Sequence, residues 1–163
     1  MTQLISSKRH LIDKSKWPDG PWKDEPDLAE WNDKETGYRC VICRQPSGYL
    51  CGYVGVDKGH QLWKQTYNDM NFFCHGGVTY SGLIENIMEE IDANKGLWFI
   101  GFDCGHFYDV RPLVNFKISP DLLELLSGSE TKIKYREWGY VEEEVRGLAK
   151  QIKKYHDDMS LGS

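Results

Sequence analysis

Two short segments gather most of the side chains in this chain that could do chemistry. One is Cys74-His75-Gly76-Gly77-Val78-Thr79-Tyr80-Ser81-Gly82, the other Gly101-Phe102-Asp103-Cys104-Gly105-His106-Phe107-Tyr108-Asp109. Each places an imidazole among glycines and hydroxyl or carboxylate groups. Glycine lacks Cβ, so it reaches backbone angles closed to other residues and lets amide N–H groups approach a ligand. A Gly-Gly pair between His75 and Thr79 could present amides, a hydroxyl and an imidazole to one anionic oxygen, as phosphate cradles do.

Three reactions fit this inventory. In a phosphodiester hydrolase, one of His75 and His106 accepts a proton from water or a ribose hydroxyl while the other protonates the leaving oxygen. Histidine suits both tasks because its unperturbed pKa lies near neutral pH. Thr79 and the Gly76 and Gly77 amides then stabilise charge on the phosphate, with Asp103 in support. Tyr80, Ser81, Tyr108 and Arg111 complete the expected ligand-binding set. In a metal hydrolase, His75, Asp103, His106 and Asp109 supply the right ligand types for a divalent cation, although no tight motif such as H-E-x-x-H is present. No cofactor is required by the sequence. In a thiol enzyme, Cys104 attacks with His75 or His106 as base.

Each feature also has a plain structural reading. The first segment could be a turn around a satisfied histidine; in the second, Asp103 could cap a turn and His106 bond backbone. A non-catalytic pocket lined by Tyr80, Trp98, Phe107 or Tyr108 would capture a nucleotide by stacking, with His75 and Thr79 on its phosphate. Arg39, Arg44, Arg111 and Arg136 are further phosphate clamps in type. His60 lies in a loop and could join the site, whereas His10 and His156 lie near the termini and are expected to do nothing. Cys40-Val41-Ile42-Cys43 reads as core packing, because positions three apart on a strand face opposite ways and no second pair follows at zinc spacing.

The elements that must position these residues read as an α+β fold: a mainly antiparallel sheet with helices packed on it and a long C-terminal helix. Residues 1–26 form an irregular, proline-punctuated arm with Trp17 and Trp22 as anchors; 27–158 form a single domain and 159–163 a tail. Strands are predicted at Leu28–Asn32, Tyr38–Arg44, Tyr49–Val56, within Asn71–Tyr80, and at Leu97–Asp103, the last expected at the sheet's centre because it is nearly all apolar. A helical turn is predicted at Gln61–Gln65. Helices are predicted at Leu83–Asn94, from Ser119-Pro120 to about Leu126, and along a stripe of Val141, Val145, Leu148, Ala149, Ile152 and Tyr155. In that last helix Glu142–Glu144 and Lys150–Lys154 are expected at the termini that suit the helix dipole.

Composition narrows the classes. The chain has 163 residues, enough for one domain with a sizeable core, and 40% of them are hydrophobic. A formal charge of −5 argues against a long nucleic acid as the main partner, since phosphate tracking needs a basic face. It leaves room for a small nucleotide-like ligand, and a homo-oligomer is compatible with it. No apolar run approaches the roughly 20 residues a membrane span needs, and the start lacks a secretory signal, so no membrane partner is expected. Five cysteines, an odd number, read as reduced thiols in a cytoplasm.

The run His75-Gly76-Gly77-Val78-Thr79-Tyr80-Ser81-Gly82, with Gly101-Phe102-Asp103-Cys104-Gly105-His106 and Tyr135-Arg136 at the opening of the last helix, resembles a family of small uncharacterised proteins common in bacteriophages and their hosts. Gly20-Pro21-Trp22, Glu25-Pro26 and Gly48-Tyr49-Leu50-Cys51-Gly52-Tyr53-Val54-Gly55 are similar to the same family's opening. The resemblance covers most of residues 20–150. It implies a bacterial cytoplasmic setting and, by analogy, an anti-defence protein that cleaves or sequesters a nucleotide immune signal.

Overall fold

Residues 7–83, 96–115 and 133–161 are described by a computed structural model. Six strands form one antiparallel sheet: β1 (Ser7–Arg9), β2 (Leu28–Asn32), β3 (Arg39–Arg44), β4 (Leu50–Val56), β5 (Tyr80–Leu83) and β6 (Trp98–Asp103), in spatial order β1-β2-β3-β4-β6-β5. Among the described residues one helix, α1 (Trp138–Leu161), packs on it, and short 3-10 turns lie at Pro21–Lys23 and Tyr67–Asp69. The fold is α+β. No helix among the described residues is long and apolar enough to cross a membrane.

Alternation along the strands divides the core by face. Ala29, Trp31, Cys40, Ile42, Leu50, Val54, Ile100 and Phe102 point toward α1, whose Val141, Val145, Leu148, Ala149 and Ile152 meet them. Leu28, Val41, Cys43, Cys51, Tyr53 and Phe99 make a second cluster on the other face. Cys40 and Cys43 therefore sit on opposite sides of the sheet, and both are buried thiols. The helix can lie close because Gly52 on β4 opposes it; a Cβ there would stand 2.4 Å from the Val145 side chain.

Several expectations are corrected. Leu97–Asp103 is not central: β6 lies between β4 and the edge strand β5, while β3 and β4 hold the middle. An apolar run reports burial of both faces, which β6 has, and not rank within the sheet. Asn71–Tyr80, expected to contain a strand broken by Gly76-Gly77, holds no strand before Tyr80. Instead Cys74–Gly77 is a tight turn closed by the Gly77 N–H on the Cys74 carbonyl at 2.9 Å, and the strand begins at Tyr80. Before that turn, Phe73 is held by the Gln151 side chain, which accepts from its N–H and donates to its C=O, both at 2.7 Å. Gln61–Gln65 is a run of turns, the helical piece coming later at Tyr67–Asp69. The predicted helix at Leu83–Asn94 begins on the last residue of β5; its remainder and the predicted helix from Ser119 lie outside the described residues.

The arm is tied down. Its β1 pairs with β2, and Trp22 is buried. Arg44, fully buried, donates to Asp27 (2.8 Å), Glu25 (3.1 Å), Tyr135 Oη (2.8 Å) and the Pro26 and Gly48 carbonyls (both 2.9 Å). Lys14 adds an ion pair to Asp27 at 2.6 Å. The other Glu25 oxygen accepts from the Trp138 N–H at 2.8 Å, so the arm supplies the acidic cap of α1. The helix's own Glu142–Glu144 fall in its second turn, and Lys150–Lys154 lie mid-helix because α1 continues to Leu161. There Lys153 and Lys154 pair instead with Asp157 and Asp158 one turn on.

Candidate functional site

At the end of β6 the chain turns through Cys104–Val110, and residues 108–110 exchange backbone bonds with Lys134 just before α1. The Cys74–Gly77 turn packs against this loop, so the two segments singled out in the sequence meet. The His75 and His106 rings lie 5.8 Å apart. Thr79 donates through Oγ1 to Asp103 Oδ2 at 3.0 Å, and the Gly105 N–H donates to Asp103 Oδ1 at 3.0 Å.

The two histidines differ. His75 is buried, with Nε2 donating to Asp109 at 2.8 Å and Nδ1 bonded to the Tyr140 hydroxyl at 2.9 Å. Asp109 is fully buried and also accepts from Arg136 Nε (2.9 Å) and the His106 N–H (3.0 Å). Burial alone would raise the Asp109 pKa, but the bonds from His75 and Arg136 outweigh it and hold the carboxyl below its usual range. Arg136 in turn lies over the Tyr140 ring at 5.5 Å. His75 thus fastens the loop, through Asp109, to the start of α1.

His106 is held differently. Tyr108 stacks on it with centroids 5.1 Å apart and planes 10° off parallel. Its Nε2 is shielded from solvent, has no hydrogen-bond partner, and faces Asp103 Oδ1 at 3.6 Å. Gly76, at φ 70°, crosses directly over that nitrogen; a Cβ there would stand 2.2 Å from it. The opposite nitrogen, Nδ1, meets no partner among the described residues. Asp103 and His106 are in ion-pair contact without a hydrogen bond; closing that gap of 3.6 Å would give the pairing by which a carboxylate orients a general base.

The remaining expected residues spread out. Tyr80 packs edge-on against Tyr53 and donates to the Leu83 carbonyl, on the sheet face away from α1. Ser81 accepts from the Tyr67 N–H. Neither shares the His106 surroundings, because a strand sends neighbours to opposite faces and carries both away from the turn. Gly77 lines a neighbouring open groove of about 590 Å³ with Tyr67, Met70, Phe72 and Phe73. Arg111 lies beyond the loop with its Nε buried and unpartnered. Of the other arginines, Arg44 is consumed by the arm and Arg39 pairs with Glu30 at 2.7 Å. Cys104 is buried in the α1-side core, where burial pushes its thiol up, which disfavours a thiolate nucleophile. His75, Asp103, His106 and Asp109 do not converge on a point, and no group of three or more such side chains among the described residues could hold a metal ion.

Sequence reasoning missed Tyr140, which is 65 residues from His75 and carries no local motif. It also set aside His156, whose ring stacks on His60 at 4.2 Å.

Comparison with known proteins identifies no matching family model, no matching curated protein and no matching solved structure.

Proposed function

We propose that the protein is a small hydrolase of a phosphodiester or nucleotide-like substrate, with His106 as its acid–base group. The observation that carries this reading is the Asp103–His106 pair: a carboxylate fixed by Thr79 and the Gly105 amide, an imidazole stacked on Tyr108, and an outer nitrogen without a partner among the described residues. His106 takes a proton from the attacking water or ribose hydroxyl as the new P–O bond forms. It returns that proton to the leaving oxygen as the old bond breaks, so no co-reactant is needed. Arg136, one-fifth exposed beside Asp109, offers positive charge to the phosphate. Phe107, 71% exposed next to Tyr108, offers a ring for a base. His75, both of whose nitrogens are engaged, acts as a positioning residue. The resemblance to phage-encoded proteins adds a bacterial cytoplasm as the setting and a nucleotide immune signal as the substrate.

A second reading, sequestration without turnover, is favoured by the engagement of both His75 nitrogens, which leaves one imidazole where two-histidine catalysis needs two. One experiment separates them. The protein is incubated with cyclic and linear nucleotides, with and without chelator, and the nucleotide is analysed after heat denaturation. Hydrolysis that falls about a hundredfold or more in His106→Asn, and less in His75→Gln, supports the enzyme. Intact nucleotide released only on denaturation supports sequestration, and neither bound nor cleaved nucleotide overturns both.

A further inference from the structure

A polar cavity lined by none of the His106 cluster lies where the turn after β2, the loop after β4 and the C-terminal half of α1 meet. It encloses about 430 Å³, within the range of small-molecule sites, and its lining includes Tyr38, Arg39, Asp57, His60, Lys153 and His156. Part of that lining is the stacked pair His60 and His156, with Tyr38 edge-on to His60 at 5.5 Å.

The backbone dictates where the protons are. The Leu62 N–H donates to His60 Nδ1 at 3.1 Å, and the Gln61 N–H donates to His156 Nδ1 at 3.2 Å. An amide can only donate, so each Nδ1 is an acceptor and each neutral ring carries its proton on Nε2. His60 is kept neutral by burial and by His156 beside it, which push it down to about 4. Its Nε2–H therefore donates to the Tyr38 oxygen at 2.9 Å. The Tyr38 hydroxyl hydrogen is then left without an acceptor among the described residues, and burial, with Asp157 and Asp57 nearby, pushes the phenol up to about 12, so it keeps that hydrogen. His156 Nε2–H likewise has no partner among the described residues. Lys153 spends one donor on Asp157 at 3.2 Å and has others to give. Asp57 also lines the cavity, one of its oxygens taken by the Gly59 N–H.

We propose that this cavity is a binding site for a small molecule bearing an oxyanion, a carboxylate or a phosphate, received by the Tyr38 hydroxyl, His156 Nε2–H and Lys153. The chain of amide, His60 and Tyr38 orients the hydroxyl, and Leu97 and Gly55 give the cavity its apolar wall. Asp57 admits a hydroxyl or ammonium beside the oxyanion and opposes a second negative group.

The test is a heteronuclear NMR titration of the whole chain with acetate, inorganic phosphate and ethylammonium at matched ionic strength. Saturable shifts of the Gly37 and Asp57 amides and of the His156 ring are expected with acetate or phosphate, and the stronger of the two names the oxyanion. Tyr38→Phe and Lys153→Met are each expected to weaken that binding about fivefold to tenfold, and His106→Asn to leave it unchanged. Tyr38→Phe keeps the ring, and Lys153 is half exposed, so both variants retain the fold. Shifts with ethylammonium alone, no saturable shift with either oxyanion, or binding indifferent to both variants overturns the proposal.

Discussion

His106 and Gly76 are bound together by a close approach that only glycine permits. Gly76 has a φ of 70°, and the nearest atom to an added Cβ is the His106 ring nitrogen. Gly76→Ala must therefore strain the turn and push the imidazole from Asp103. Unfolding in denaturant is expected to show a loss of about 1–3 kcal/mol, together with loss of whatever turnover the wild type has. Asp109→Asn acts on the other histidine. It leaves the partly exposed Arg136 and the buried His75 facing a neutral amide, so a loss of about 3 kcal/mol is expected, the lower end of the cost of breaking a buried ion pair from one side. The histidines and Asp109 were legible in the sequence because glycine-flanked polar residues at a strand end announce themselves. Their division of labour was not, because it depends on Tyr140 and Arg136, which arrive from another element.

The elements that matter most for the site are α1 and the arm that caps it. Glu25 bonds the Trp138 N–H, Arg44 and Tyr135 at once, and two residues before Trp138 stands Arg136, which holds Asp109. Glu25→Ala is expected to cost about 2–4 kcal/mol from the lost cap and charged hydrogen bonds. Hydrogen exchange at the first turn of α1 should rise more than at Leu148, whose place is set by packing. Gly52→Ala probes the other contact of α1. Its Cβ would enter the Val145 and Phe102 side chains, so an overpacking cost of about 1–3 kcal/mol is expected, read as a lowered denaturant midpoint with an unchanged slope. The strands β2, β3, β4 and β6 and the stripe of α1 were readable within a residue or two at most boundaries. Periodicity failed at residues 71–79, where apolar side chains follow a turn and a side-chain clamp from Gln151 rather than a ladder.

Across the whole molecule, pH should act in two windows. His60 has a folded pKa of about 4 against an ordinary 6.5, so the unfolded chain takes up the proton first. Its neighbours are His156, Tyr38, Asp57 and Asp157, and burial prevails over the two carboxylates. Stability from this group is complete above pH 6.5 and falls as pH drops from there toward 4. Asp27 and Asp109 act in the same direction at lower pH: their pKa values lie below the ordinary 3.8, so their contribution is lost only as pH falls below that value. Melting temperature is expected to decline gently from pH 6.5 to 4 and steeply below it. His60→Gln should flatten the first decline and leave the second; an unchanged first decline would refute the assignment.

What the sequence determined alone was local: alternation that specifies strands, a 3.6-residue stripe that specifies α1, and glycine-histidine turns where a backbone must bend. These depend on residues a few positions apart, so spacing encodes them. What the tertiary structure decided was partnership. It gave Arg44 to the arm instead of a ligand, both nitrogens of His75 to Asp109 and Tyr140, and His156 to His60. A hydrogen bond takes whichever partner the packed chain brings within about 3 Å, and for these side chains that partner comes from a different element of the fold.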